Sequence, residues 1–140
     1  MEEPPLREYG GLIAAFWLIF AAFIAREGER IPERVPAGDL ARVALSTYKL
    51  SRLVAKDEVT TVLRAPVTED AKGQEPKRTG VAGAVGRLVT CPYCVGLWIA
   101  SGLSYALVRF PRETRFATTI FSAHAVADFL NAGFVRMRGG

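Results

Sequence analysis

YGGLIAAFWLIFAAFIA, from Tyr9 to Ala25, runs for 17 residues between Glu8 and Arg26 with tyrosine as its only ionisable side chain. Such a run stands at the lower limit of what an α-helix needs to cross a hydrocarbon core. Two more follow. LVTCPYCVGLWIASGLSYALV, Leu88 to Val108, is 21 residues long between Arg87 and Arg109, and Phe116 to Val135 is 20 residues with Asp128 as its only formal charge. At 1.5 Å per residue, about 20 residues of helix make about 30 Å, the thickness of a bilayer core. The expectation is an all-α membrane protein with about three transmembrane helices, over 9–25, 88–108 and 116–135, in one domain spanning 1–140. A secretory signal peptide is the rival reading of the first run. MEEPPLRE, however, carries three acids against one arginine where a positive segment should stand, and Ala25-Arg26-Glu27 is a poor cleavage site, so a retained anchor is expected.

Composition supports this frame. Of 140 residues half are hydrophobic and 23% charged, with mean hydropathy +0.18, which excludes disordered and collagen-like chains and leaves room for one core. Two cysteines make no disulfide framework, and one histidine with two cysteines cannot fill a tetrahedral zinc site unless a carboxylate or a second copy helps. A net charge of +4 is too small and too scattered to argue for nucleic acid.

Lysine and arginine favour the cytoplasmic side of a membrane. The segment from Arg26 to Arg87 holds twelve of them, against Arg7 alone before the first run, three in the turn Arg109 to Arg115, and Arg136 and Arg138 in the tail. A cytoplasmic loop over 26–87 is expected in the bacterial cytoplasmic (inner) membrane, with the N-terminus outside and the C-terminus inside. Within it, Asp39 reads as the N-cap of a helix over 39–56. Leu40, Val43, Ala44, Thr47, Leu50, Ser51 and Val54 fall on one face of that helix, and Arg42, Lys49, Arg52 and Lys56 crowd the other. A basic amphipathic helix beside a membrane lies in the interface with its cations toward anionic headgroups. The sharper alternative turns Lys49, Arg52, Asp57 and Arg64 inward to build a polar site. DEVTTVLRAPVTE, with Pro66 inside it, reads as a loop or short extended segment, 68–80 as a polar linker, and Gly80 to Gly86 as small residues that let backbones pack closely.

Two groups could carry chemistry. Cys91-Pro92-Tyr93-Cys94 has the spacing of a redox dithiol, but the soluble βαβ context of a thioredoxin-like protein is missing. The pair reads as small helix-start residues, as metal ligands, or as a reactive or acylated thiol, at the cytoplasmic mouth of the second span where thiols stay reduced. His124, Asp128 and Asn131 lie along one stripe of the third span. They read as polar glue between helices, as a proton relay, or as part of a metal site. Phosphate loops, nucleophile elbows and HExxH motifs do not occur.

TYKLSRLVAKDEVTTVLRAPVTE from Thr47 to Glu69, LVTCPYCVGLWIA from Leu88 to Ala100, and the Ala-rich stretch ending ADFLN resemble the bacterial membrane-protein family numbered thirteen-sixty among the domains of unknown function. That family takes in the YjcA-like sporulation-associated proteins. The resemblance covers about Leu40 to Asn131 and places Lys49, Arg52, Asp57, Arg64, Pro66, Cys91, Pro92, Cys94, Gly96, Trp98 and Asp128 on matching positions. It implies membrane residence and supplies no mechanism. Two functional readings follow. The first is an accessory, assembly or interaction subunit that contacts anionic lipid, other membrane proteins or a second copy of itself. The second is a membrane enzyme or a thiol or metal protein, with catalytic candidates Lys49, Arg52, Asp57, Arg64, His124 and Asp128 and a metal on Cys91 and Cys94.

Overall fold

The first apolar run contains no proline and folds as one uninterrupted helix, α1, Leu6–Glu27. In the computed structural model, which describes residues 6–69, 76 and 80–139, five further helices follow: α2 Ala37–Lys56, α3 Thr61–Arg64, α4 Gly80–Thr90, α5 Pro92–Arg109 and α6 Pro111–Gly139. Three short 3-10 turns, Gly28–Arg30, Glu58–Thr60 and Ala65–Val67, complete the described structure, with an isolated antiparallel bridge between Thr68 and Pro76. The expected helix over 39–56 is present but starts two residues earlier, after Pro36, so Asp39 sits in its first turn rather than capping it. The segment around Pro66, expected as a loop or extended, winds into α3 and its flanking turns. Pro66 stands at the start of the last turn, where a missing N–H costs nothing. The linker expected over 68–80 lies outside the described residues at 70–75 and 77–79.

The second expected span is broken. Pro92 cannot donate the backbone N–H that would continue α4, and the chain bends by 87° at Cys91 before α5 begins. By length and composition one helix suits a membrane crossing, the stretch Leu6–Arg30, which holds 18 residues of mean hydropathy 1.8, and a second does so only if α4 and α5 are counted together across their bend. The described fold therefore offers one clear candidate span rather than three separate apolar helices, although α6 contains the whole third run.

Side-chain contacts fix the helix directions. Phe16 meets Trp98, Phe23 stacks on Tyr105, and Glu27 pairs with Arg109, so α1 and α5 run parallel. Asp39 meets Arg115 and Lys49 meets Asp128, so α2 and α6 also run parallel, and Phe110 turns α5 back into α6. The result is an up–down–up–down bundle of α1, α2, α5 and α6. The start of α1 and the end of α6 lie at the same end of it, not at opposite ends as the three-span topology expects.

The helix expected as basic and amphipathic, α2, packs between α5 and α6 as the centre of the bundle, with Lys49 turned toward α6. It fits there because the residues facing its neighbours are small or hydroxylated: Ser46, Ser51 and Ala55 on α2, and Thr114, Thr118, Ser122 and Ala125 on α6, are buried. Gly96 of α5 belongs to the same device, since a Cβ there would stand 3.2 Å from Ser51 Oγ. Leu40, assigned by periodicity to the buried face, points outward.

Among the described residues the usual distribution of a soluble core is inverted. The buried apolar side chains are Ala55, Ala84, Val95 and Ala125, while Ile13, Trp17, Leu18, Phe116, Leu130 and Met137 stand at least half exposed.

Gly86 of α4 sets the closest approach outside the bundle, because a Cβ there would lie 2.3 Å from the Val67 carbonyl oxygen. Backbone would have to move. Gly86→Ala is expected to destabilise the fold by about 1–3 kcal/mol, as overpacking does. Gly102→Ala, inside α5 with open space at its Cβ, serves as the control and should leave stability unchanged or raise it by up to about 1 kcal/mol, and thermal unfolding followed by circular dichroism compares the two.

Candidate polar site between helices

Three polar layers lie between α2 and α6, at spacings of three and four residues that keep each contributing side chain on one helical face. In the first layer Asp39, 3% exposed, accepts from Arg115 Nε and Nη2 at 3.1 Å each and from Arg42 one turn along α2. This layer lies at the charged end of the bundle, beyond the apolar runs. The two guanidiniums, Arg115 foremost, hold the Asp39 carboxyl below its ordinary range against the opposing effect of burial. In the second layer Ser46 Oγ donates to the Thr118 carbonyl at 3.0 Å and lies 3.3 Å from Ser122 Oγ, which donates to the Arg42 carbonyl at 3.0 Å.

The third layer holds predicted site residues. Lys49 Nζ donates to Asp128 Oδ2 at 2.6 Å, and His124 Nδ1 stands 3.7 Å from the other carboxylate oxygen. Tyr48 packs on Phe129 beside them, with ring centroids 5.1 Å apart. Asp128 thus has a cation from the neighbouring helix as its principal partner. The sequence offers Asp128 His124 one turn away, a Lys or Arg of the loop 26–87, or a hydroxyl such as Ser101 or Ser104, and the parallel packing of α2 on α6 selects Lys49.

The other candidates serve elsewhere. Arg64, 1% exposed, donates to the carbonyls of Val54 and Asp57 and to Thr60 Oγ1 at 2.7 Å. The Thr60 hydroxyl reaches the Leu53 and Asp57 carbonyls. Together they satisfy the carbonyls that the end of α2 leaves open, a capping role that employs Asp57 through its backbone. Arg52 lies over the Tyr48 ring at 5.9 Å and lines a cavity of about 330 Å³ between α2 and α5, with Thr47, Ser51, Pro92 and Tyr93. The expected cluster is therefore divided into an ion pair, a helix cap and a cavity wall.

Cys91 is the N-cap of α5. Its sulfur accepts the Cys94 backbone N–H at 3.3 Å, and Cys94 Sγ donates to it at 2.7 Å. The two thiols are free, Cys91 half-buried and Cys94 exposed. Among the described residues no group of three or more His, Cys, Asp or Glu side chains comes together to hold a metal ion. A metal on Cys91 and Cys94 would need ligands from outside those residues.

The Asp39–Arg115 pair and the Ser46–Ser122–Thr118 contacts escaped the sequence reading. Their signal was the spacing of Thr114, Thr118, Ser122 and Ala125, which is legible as a small-residue face once α6 has a partner.

The profile of a family described as "Protein of unknown function (DUF1360)" matches residues 43–134, which takes in the side chains of the second and third layers and Arg115 of the first, and leaves Asp39 and Arg42 outside. The chain is 22% identical over 98 residues to "Sporulation protein YjcA" of Bacillus subtilis (strain 168), covering 63% of this chain and 83% of that protein. It is 28% identical over 92 residues to "UPF0713 protein YngL" of the same organism, covering 60% of this chain and 71% of that protein. No solved structure matches it.

Two outcomes are expected of these layers. Lys49→Met should destabilise the fold by leaving Asp128 with His124 as its remaining partner, and Lys49→Met with Asp128→Leu should recover most of the loss, since an apolar pair can replace a half-buried ion pair between helices. Thermal unfolding of the two single variants and the double variant measures the coupling. Because the folded Asp39 carboxyl titrates below its unfolded value, its contribution is present at neutral pH and is lost as pH falls through the folded value. Asp39→Asn should lower stability at pH 7 and flatten the acid limb of the stability profile.

Proposed function

Since the chain belongs to the DUF1360 family, whose matched region takes in most of the bundle, we propose that it is a multi-pass protein of the bacterial cytoplasmic membrane acting as an accessory, assembly or interaction subunit. The observation that carries this reading is the inverted distribution of side chains. Small and hydroxylated residues fill the helix contacts, while Trp17, Leu18, Phe116, Leu130 and Phe134 face outward. Water penalises such a surface and lipid does not, and helices in lipid associate through close packing and hydrogen bonds of the kind found between α2 and α6.

On this reading all four long helices cross. With Asp39 outside at the charged end, α2 from Leu40 to Lys56 gives about 25 Å of length, and its charges are tolerable at depth because Lys49 pairs with Asp128 and Arg52 lies over the Tyr48 ring. The helix directions then give an even number of crossings. The connection from α2 to α5 begins and ends on the side of the two termini, and its sequence carries five Lys and Arg, against Arg30 and Arg34 in the connection from α1 to α2 on the other side. The larger share makes the terminal side cytoplasmic, where those cations meet anionic headgroups. Outward apolar faces on α1 and α6 suit partner membrane proteins or a second copy of the chain. The relative named a sporulation protein supports a role for this subunit in a comparable developmental assembly.

A second reading, a membrane thiol protein, is favoured by one observation: the two sulfurs meet at the N-terminus of α5.

The chain is expected in the membrane pellet after alkaline carbonate washing. Reporter fusions at both termini should report the cytoplasm, and a fusion after Glu33 the outside. Termini on opposite sides would restore an odd number of crossings, and recovery in the supernatant without detergent would overturn the membrane reading.

A further inference from the structure

Beside the dithiol lies an open apolar recess. It has a volume of about 520 Å³, within the range of small-molecule sites, and α1, α4 and α5 form it. Its walls are Phe16, Trp17, Leu97 and Trp98, and three polar groups border it: the Cys94 thiol, the Arg87 guanidinium and the Tyr9 hydroxyl. Arg87 donates to Tyr9 Oη at 3.5 Å, and no carboxylate pairs with it among the salt bridges of the described residues.

Flat aromatic walls suit a flat ring, with Phe16 and Trp98 set edge to face at 5.4 Å. A cationic donor at the border suits a carbonyl oxygen that gains electron density. A dithiol at the border suits an acceptor of two electrons and two protons. One class of molecule meets all three demands and dissolves in a bilayer. We propose that this recess binds a lipophilic quinone and that Cys91 and Cys94 pass it two electrons and two protons, becoming a disulfide.

The step balances. Cys91–SH and Cys94–SH lose two protons and two electrons and form one S–S bond, and the quinone gains them as two O–H bonds to become the hydroquinone. Cys94 touches the recess, and Cys91, capped by the Cys94 N–H, is placed to close the disulfide behind it. Arg87 and Tyr9 orient the ring through one carbonyl. Turnover requires a thiol that returns the electrons by exchange with the disulfide. This inference deepens the thiol reading and relies on the membrane reading only for how the quinone reaches the recess.

The test uses the full chain, purified in detergent, reduced, freed of reductant and kept anaerobic. Decylubiquinone is the probe, because its ring is fully substituted and cannot add thiols. The two free thiols per chain should fall to none with one equivalent of hydroquinone formed, and Cys94→Ser should abolish the reaction. Arg87→Gln and Trp98→Ala should raise the half-saturating quinone concentration about tenfold or more, the scale of one lost interaction, while diamide still oxidises their thiols as in the parent chain. Arg87→Lys should restore part of the loss. Thiols that survive saturating quinone in the parent chain would overturn the proposal. So would unchanged half-saturation in both Arg87→Gln and Trp98→Ala, which would place the reaction outside the recess. Because the assay is run in detergent, its outcome is separate from cell fractionation, where failure of the membrane reading would appear.

Discussion

Three helices meet along α2 because the side chains between them are Ser46, Ser51, Ala55, Thr118, Ser122 and Ala125, with Gly96 opposite Ser51. None of these occupies much volume, so the backbones approach closely and the hydroxyls reach carbonyls on the neighbouring helix. Close approach in turn lets the long charged side chains at each level find partners: Asp39 with Arg115, and Lys49 with Asp128. A larger residue at Ser46 or Gly96 would separate the helices and leave those charges unpaired. The arrangement depends on small volume first and on charge second.

The rest of the molecule is organised around that seam. Arg64 and Thr60 close the end of α2, allowing the chain to turn away through α3. Pro92 ends α4 and starts α5 on a new axis, which places the dithiol at the corner between them. Aromatic contacts from Phe16 to Trp98 and from Phe23 to Tyr105 then lay α1 along α5. No residue of α1 is buried, so α1 adds an apolar outer surface and one wall of the aromatic recess rather than a share of the core.

Polar residues in a chain this apolar invite a catalytic interpretation, and the structure distributes them among different tasks. Arg64 is held by carbonyls and hydroxyls at a helix end, Lys49 by a carboxylate between helices, and Arg52 by an aromatic face beside a cavity. The cysteines stand apart from this scaffold. Their sulfurs contact each other, and the more exposed one borders a recess that the packing of α2 with α6 does not form.

Helix content, the start of α2 to within two residues, and the uninterrupted first apolar helix were all legible in the sequence, because they follow from local periodicity, proline positions and uncharged length. The family was legible too, in the order of its motifs. Periodicity alone assigned α2 to an interface, since it weighs Leu40 and Val43 as the buried side and has no means of preferring Ser46. Burial here follows small volume, which hydropathy does not measure. The partner of Asp128, the shared end of the two termini and the aromatic recess all arise from how one helix lies against another. Such contacts join residues up to about eighty positions apart, and only the tertiary structure brings them within reach.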